Sequence, residues 1–107
     1  MISELQQAAE NIYEGVREKL GLDHEQMQIA QVLCVAEEAG EFVGAYRRFV
    51  GMARRNGPFS DVQNELADVV IAAYTAAEAL GIDLEMAIAE KLGVVMTRGW
   101  KEASAVS

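Results

Sequence analysis

The sequence predicts an all-α domain, and three observations lead to that prediction. Apolar residues recur at helical spacing along most of the chain, and no segment shows the alternation that is typical of strands. A glycine is followed two positions later by aspartate in both Gly21-Leu22-Asp23 and Gly81-Ile82-Asp83, which favours a helix end and a new helix start. At 107 residues, 51% of them hydrophobic, the chain suits one small domain spanning 1–107.

Helix boundaries follow from the capping patterns. The first two helices begin with a capping box, in which a polar residue is followed three positions later by glutamine: Ser3 with Gln6, and Asp23 with Gln26. Leu22 and Met27 add a hydrophobic staple to the second start. Ser60 with Gln63 repeats the capping spacing before the third helix, and Asp83 precedes the fourth. The predicted helices therefore cover residues about 3–20, 24–50, 61–80 and 84–97.

Charge and hydropathy narrow the possible partners. The net charge is −8, and a strongly acidic chain is poorly suited to binding nucleic acid through phosphate contacts. The first residues lack the basic and apolar regions of a signal peptide, and no apolar run reaches membrane-spanning length. We expect a cytoplasmic protein with neither a nucleic-acid nor a membrane partner.

The second and third helices are apolar around most of their circumference. The apolar residues are Ile29, Val32, Leu33, Val35, Phe42 and Val43 in one, and Leu66, Val69, Val70, Ile71 and Tyr74 in the other. A helix of this kind is normally enclosed on several sides. Since four helices of this length cannot easily enclose two of their number, we expect a homodimer or a higher oligomer with these helices at its centre.

The same two helices carry two acidic clusters. Glu37, Glu38 and Glu41 lie in the second helix, and Glu65 and Asp68 lie in the third. Residues three and four positions apart share a helix face, so like charges face each other in both clusters. No Lys or Arg lies three or four positions from any of the five. A carboxylate pair about 5.5 Å apart repels by about 3 kcal/mol at an effective dielectric constant of about 20, so the clusters favour an external cation.

The chemistry of the side chains indicates which cation suits the clusters. Sites made only of oxygen ligands favour Mg²⁺, Mn²⁺ or Ca²⁺. A di-iron bundle needs Glu-x-x-His pairs, and the lone histidine, His24, lies more than three turns before Glu37. Mg²⁺ held by a few carboxylates usually meets substrate phosphates. The alternative is a solvated acidic face, which the apolar flanking positions disfavour.

The paired motif resembles the signature of the MazG-like family of all-α nucleoside triphosphate pyrophosphohydrolases. That signature is Glu-Glu-x-x-Glu followed, after a loop, by Glu-x-x-Asp, and the resemblance covers roughly Asp23 to Trp100. It implies a four-helix-bundle-like domain assembled as a homodimer or homotetramer. It also implies Mg²⁺-dependent hydrolysis of a (deoxy)nucleoside triphosphate to monophosphate and pyrophosphate, with Mn²⁺ as a substitute metal and a role in controlling the nucleotide pool.

The resemblance also implies roles for individual residues. The metal ligands would be Glu38, Glu41, Glu65 and Asp68, and Glu37 would orient the attacking water, act as the base or hold a further metal. The family's last helix carries a lysine, an asparagine and an arginine that face the phosphates. Lys91 and Arg98 match two of these, whereas Val94 and Val95 stand where the asparagine is expected. As an alternative, Lys91 and Arg98 are surface cations near a helix end.

The base-binding residues are less constrained by the sequence. Gln28 and Gln31, about two turns before Glu38, can hydrogen-bond a base, and Trp100 can stack on one. Each also suits a structural or surface role. Two alternatives to the hydrolase remain: a non-enzymatic acidic helical interaction module, and a degenerate family member that binds nucleotide without hydrolysing it. The preferred base and sugar are not determined by the sequence.

Overall fold

Four α-helices and no strand make up the part of the chain, residues 2–98, that the computed structural model describes. The helices are α1 (Glu4–Leu20), α2 (His24–Phe49), α3 (Phe59–Leu80) and α4 (Leu84–Arg98). The prediction of an all-α fold is confirmed, and each helix lies within two residues of its expected bounds. None of the helices within residues 2–98 has the length and hydropathy needed to cross a membrane.

Side-chain caps define three of the four helix starts. Both predicted capping boxes form: the Ser3 and Asp23 side chains accept from the backbone amides of Gln6 and Gln26, and the glutamine side chains accept in return. Asp83 Oδ1 accepts from the third residue of α4 at 3.1 Å. Each cap satisfies amides that lack a partner within the helix.

The start of α3 differs from the prediction. Ser60 is not its cap, because the helix begins at Phe59 and Pro58 occupies the cap position without a side-chain hydrogen bond to any described residue. The fixed φ of proline suits this entry, and the Pro58 carbonyl accepts from the Asp61 amide at 3.2 Å. Phe59 packs against Phe49 of α2 with ring centroids 5.1 Å apart. The helix α3 therefore begins two residues before its predicted start, at a residue that contacts α2.

Left-handed glycines end α1 and α3, as the stop–start pattern predicts. Gly21 has a φ of 64° and Gly81 a φ of 70°. At both ends, the residue after the glycine donates its amide to a carbonyl in the last helical turn, that of Arg17 or that of Ala77. This is the Schellman arrangement, which requires a residue that tolerates positive φ.

The core lies where α1 and α2 both pack against α3. Its centre consists of Tyr13, Met27 and Ala79, and Val16 and Leu22 pack around it. Met27 and Ala79 are fully inaccessible to solvent. Leu22 packs against the cluster that contains Met27, which is consistent with the predicted staple.

The expected enclosure of α2 and α3 is not provided by this chain alone. Of the eleven apolar residues named for these helices in the sequence, seven are exposed: Ile29, Val32, Leu33, Val43, Leu66, Val70 and Ile71. No residue of α4 is buried, although all of this helix is described. Its exposed apolar residues are Met86, Ile88, Leu92, Val94 and Met96. Because α4 packs only loosely on the other helices, it covers little of these apolar surfaces.

Candidate metal centre

Packing of α2 against α3 brings the two acidic clusters together. One carboxylate oxygen from each of Glu38, Glu65 and Asp68 lies within 4.8 Å of the others, and we call these three residues the acidic triad. Glu65 and Asp68 share a face of α3 because they are three positions apart. Glu38 reaches them from the neighbouring helix. Helical spacing thus brings Glu65 and Asp68 together on α3, and the packing of α2 against α3 adds Glu38.

Two oxygen atoms of the triad are buried without a hydrogen-bond partner. They are Glu38 Oε2 and Glu65 Oε2, neither of which accepts a hydrogen bond from any residue within 2–98. Both residues are half-buried, whereas Asp68 is exposed. Burying a carboxylate oxygen without a donor is costly, and most buried polar atoms in proteins are satisfied. The two oxygens are thus placed to ligate a cation or to share a proton.

Glu41, predicted as a fourth ligand, is not one of the three carboxylates that converge within 4.8 Å of one another. It borders the triad, because its charge raises the pKa of both Glu38 and Glu65. Two ionised carboxylates cannot donate to each other, so close approach of such groups needs a shared proton or a cation between them. The role of Glu41 as a metal ligand stays a prediction.

The electrostatics of the site favour neutralisation of the Glu38 and Glu65 carboxylates. Burial is the largest cause that raises the pKa of Glu38, followed by the charge of Glu41 and, more weakly, by Asp68 and Glu65. Burial also raises the pKa of Glu65 most, with Glu41 and Asp68 adding to it. Without a cation, these carboxyl groups therefore hold protons more tightly than ordinary glutamates do.

Glu37 lies outside the acidic triad. It is exposed on α2, next in sequence to Glu38. The nearby half-buried Cys34 thiol has its pKa raised by burial first, and then by the charges of Glu38, Glu37 and Glu41. The structure does not place Glu37 among the carboxylates that converge, so its predicted role near the metal remains a prediction.

Arg48 acts on the site and was missed by the sequence analysis. Its charge lowers the pKa of Glu65, against the effect of the surrounding carboxylates. Arg48 follows Glu41 by seven positions on α2, beyond the three- and four-residue spacing at which the acidic clusters have no Lys or Arg. Seven residues correspond to two helical turns, so the same-face spacing of Glu41 and Arg48 is the signal in the sequence that identifies it.

The predicted phosphate ligands lie on α4. Lys91 is exposed and makes no hydrogen bond or ion pair within residues 2–98. Arg98 is half-buried at the end of the helix, where it lines a shallow groove with Val94 and Thr97. Because α4 packs only loosely on α2 and α3, an approach of Lys91 and Arg98 to the triad remains a prediction.

The residues predicted to bind the base, Gln28, Gln31 and Trp100, lie in different environments or outside the described residues. The Gln28 amide donates to the Ala79 carbonyl at 3.2 Å and lies 3.3 Å from His24 Nε2, so it links α2 to α3. Gln31 is buried, with 8% of its surface exposed. Trp100 lies outside the described residues. The structure places neither glutamine in the acidic triad, and their contact with a base stays untested.

Comparisons of this chain with models of protein families, with curated proteins and with solved structures find no match. The resemblance to the MazG-like family therefore rests on the sequence itself, on the motifs at 37–41 and 65–68 and on the matches at Lys91 and Arg98. The convergence of carboxylates from both motifs is an observation about this chain, and it holds whichever family the chain belongs to.

Proposed function

We propose that this protein is a Mg²⁺-dependent hydrolase that converts nucleoside triphosphates to monophosphate and pyrophosphate. The observation that carries the proposal is the pair of buried, unpartnered oxygens of Glu38 and Glu65 within a carboxylate triad. This observation supports a bound cation. The choice of a nucleotide substrate depends on the resemblance of the two motifs to the MazG-like signature.

The donor set fits Mg²⁺. Glu38, Glu65 and Asp68 would hold the ion, and Glu41 would contribute a fourth carboxylate. Carboxylate oxygens suit hard divalent cations, and Mn²⁺ would bind the same set. When bound, Mg²⁺ polarises a phosphoryl oxygen and acidifies a coordinated water. The exposure of Asp68 leaves one side of the triad open to a substrate.

The reaction is a displacement at the α-phosphorus. The water oxygen forms a bond to phosphorus, the bond to the bridging oxygen breaks, and pyrophosphate leaves with the electron pair. Glu37, exposed beside Glu38, would orient the water and take its proton. Lys91 and Arg98 would bind phosphate oxygens once α4 is held near the triad.

Assembly with a second copy belongs to the same proposal. The exposed apolar residues of α2, α3 and α4, such as Leu33 at 64% and Met96 at 80%, exceed what a monomer normally leaves in water. Specific interfaces use about 20–30 residues from each partner, and these three helices offer a surface of that order. A homodimer or homotetramer that covers this surface would also fix the position of α4.

The decisive experiment is a panel of ribo- and deoxynucleoside triphosphates, with products identified and with Mg²⁺ present or chelated. We expect pyrophosphate as a product only with Mg²⁺ or Mn²⁺. Glu38→Gln and Asp68→Asn should each lower kcat/KM by at least about 100-fold, since even outer-shell changes at metal sites cost 10–100-fold. Glu18→Gln, which removes an exposed carboxylate on α1, is the matched control. Unchanged activity in both triad variants would contradict the assignment.

Nucleotide binding without hydrolysis is the second candidate. Val94 and Val95, in place of the expected asparagine, favour it because they remove a polar contact to the substrate. Mg²⁺-dependent nucleotide binding without any product would identify this case. A non-enzymatic acidic interaction module would instead show no stabilisation by Mg²⁺.

A further inference from the structure

Arg48 lies in the last turn of α2, and its side chain runs back along the helix toward Gly44. Its Nη1 atom is 3.4 Å from the point that a Cβ on Gly44 would occupy. Gly44 is one turn before Arg48 and three residues after Glu41. Since helix side chains lean toward the N-terminus of their helix, the guanidinium lies over the turn that leads to Glu41.

A second glycine borders the same side chain on the loop. Arg48 Cβ and Nε lie 3.3 Å and 3.7 Å from the point that a Cβ on Gly57 would occupy. The Gly57 amide also donates to the Arg48 carbonyl at 3.2 Å. The Arg48 side chain is therefore half-buried in a slot between α2 and the loop, with a glycine on either side. The contacts with Gly44 and Gly57 fix the direction of the Arg48 side chain.

The Arg48 guanidinium has no acceptor within residues 2–98. It makes no hydrogen bond and no ion pair there. An Asp61 carboxylate oxygen lies 3.7 Å from the same Cβ position of Gly57 but does not pair with the guanidinium. Its neighbour Arg47, by contrast, donates to the Met52 carbonyl at 3.1 Å. A guanidinium presents five N–H donors in a rigid fork. A half-buried guanidinium whose N–H groups have no acceptor in the described chain is suited to binding an anion from outside the chain.

A polyphosphate that binds beside the acidic triad needs a positively charged side chain there. The acidic triad repels phosphates, and a net charge of −8 adds to that repulsion. A bound divalent ion offsets only part of the charge. We propose that Arg48 binds phosphate oxygens of the pyrophosphate leaving group at the edge of the acidic triad nearest the loop. This inference rests on the proposed function, because it takes the triad as the place where the substrate's phosphates are held.

The experiment uses inorganic pyrophosphate and Mg²⁺ with the purified full chain, and measures affinity by calorimetry. Arg48→Gln should weaken binding at least about tenfold, as expected for the loss of hydrogen bonds to a charged group. Arg48→Lys should fall between Arg48→Gln and the unmodified protein, because lysine keeps the charge without the fork. Arg47→Gln is the matched control, because it removes the adjacent positive charge. Its affinity for pyrophosphate should stay within about twofold of that of the unmodified protein.

The rise in Tm caused by Mg²⁺ should survive in Arg48→Gln, which shows that the fold and the metal site are intact. Arg48→Gln that binds pyrophosphate as tightly as the unmodified protein overturns the inference, as does an unmodified protein that does not bind pyrophosphate. Should Arg48→Gln fail to fold, undiminished affinity in Arg48→Lys overturns it instead. If pyrophosphate binding depends on Arg48 but no nucleotide is hydrolysed, the hydrolase proposal is refuted, and Arg48 stands as a ligand of bound pyrophosphate rather than of a leaving group.

Discussion

Glu38 of α2 and Glu65 of α3 bring carboxylate oxygens within 4.8 Å of each other, and each residue keeps one buried oxygen without a hydrogen-bond partner in the described chain. At that separation, two ionised carboxylates repel by about 3 kcal/mol at an effective dielectric constant of about 20. The contact is unfavourable for the chain alone and becomes favourable when positive charge lies between the two groups. The stability of the protein should therefore depend on cations.

Mg²⁺ should stabilise the protein, and Glu38→Gln should remove that dependence. At a Mg²⁺ concentration about 100 times the Kd, binding stabilises the fold by about 2.7 kcal/mol, which corresponds to a rise in Tm of about 10 °C or more in a domain of this size. With Mg²⁺ chelated, Glu38→Gln should melt above the unmodified protein because one repelling charge is gone. Thermal melts with Mg²⁺ and with a chelator measure both effects, and Glu18→Gln should behave like the unmodified protein. A Mg²⁺ shift that persists in Glu38→Gln would contradict a site at the triad.

A charge on the exposed apolar surface of α2 should dissociate the oligomer. The unmodified chain should sediment at two or four times its mass of 11.6 kDa. Leu33→Glu, at a position 64% exposed in the single chain, should lower that mass because it would bury an unpaired charge in the interface. Met52→Glu is the control, since Met52 is 71% exposed in the loop rather than on α2, α3 or α4. A monomeric unmodified protein would refute the proposed assembly.

Glu78 should make stability fall as pH rises. Burial, and then the charges of Glu10 and Glu14, raise the pKa of Glu78 on α3. The folded state therefore binds this proton more tightly than the unfolded state, so the free energy of unfolding decreases as pH rises above the ordinary glutamate value of about 4.3. Glu78→Gln should melt a few degrees higher than the unmodified protein at neutral pH, and the gap should close on acidification. Melts across this pH range measure the gap, with Glu18→Gln as the control. A gap that is independent of pH would point to a cause other than titration.

The helix caps should differ in their contribution to stability. Asp23→Ala should lower the free energy of unfolding by about 1 kcal/mol, because its side chain caps α2 through the Gln26 amide at 2.8 Å. Ser60→Ala should change it by less than about 0.5 kcal/mol, the usual range for surface positions without such a role, because α3 begins before Ser60. Urea unfolding of both variants provides the comparison. Equal losses would show that Ser60 caps α3 in solution.

Local patterns predicted most of the fold. The capping boxes at Ser3 and Asp23 and the left-handed Gly21 and Gly81 involve residues only a few positions apart, so their physics is contained in short segments of sequence. The start of α3 was misplaced because the contact between Phe59 and Phe49 joins two helices. Helical periodicity also indicated large apolar surfaces on α2 and α3, but the structure showed how much of them this chain leaves uncovered.

The sequence by itself determined that this is an all-α chain, and that carboxylates without local counter-charges share faces of its second and third helices, because helical spacing is a local property. Only the tertiary structure decided which carboxylates meet. It joined Glu38 to Glu65 and Asp68, left Glu37 outside the triad, and revealed the electrostatic effect of Arg48 on Glu65. The physical reason is that distances between helices depend on how whole faces pack, and packing involves residues that are far apart in the chain.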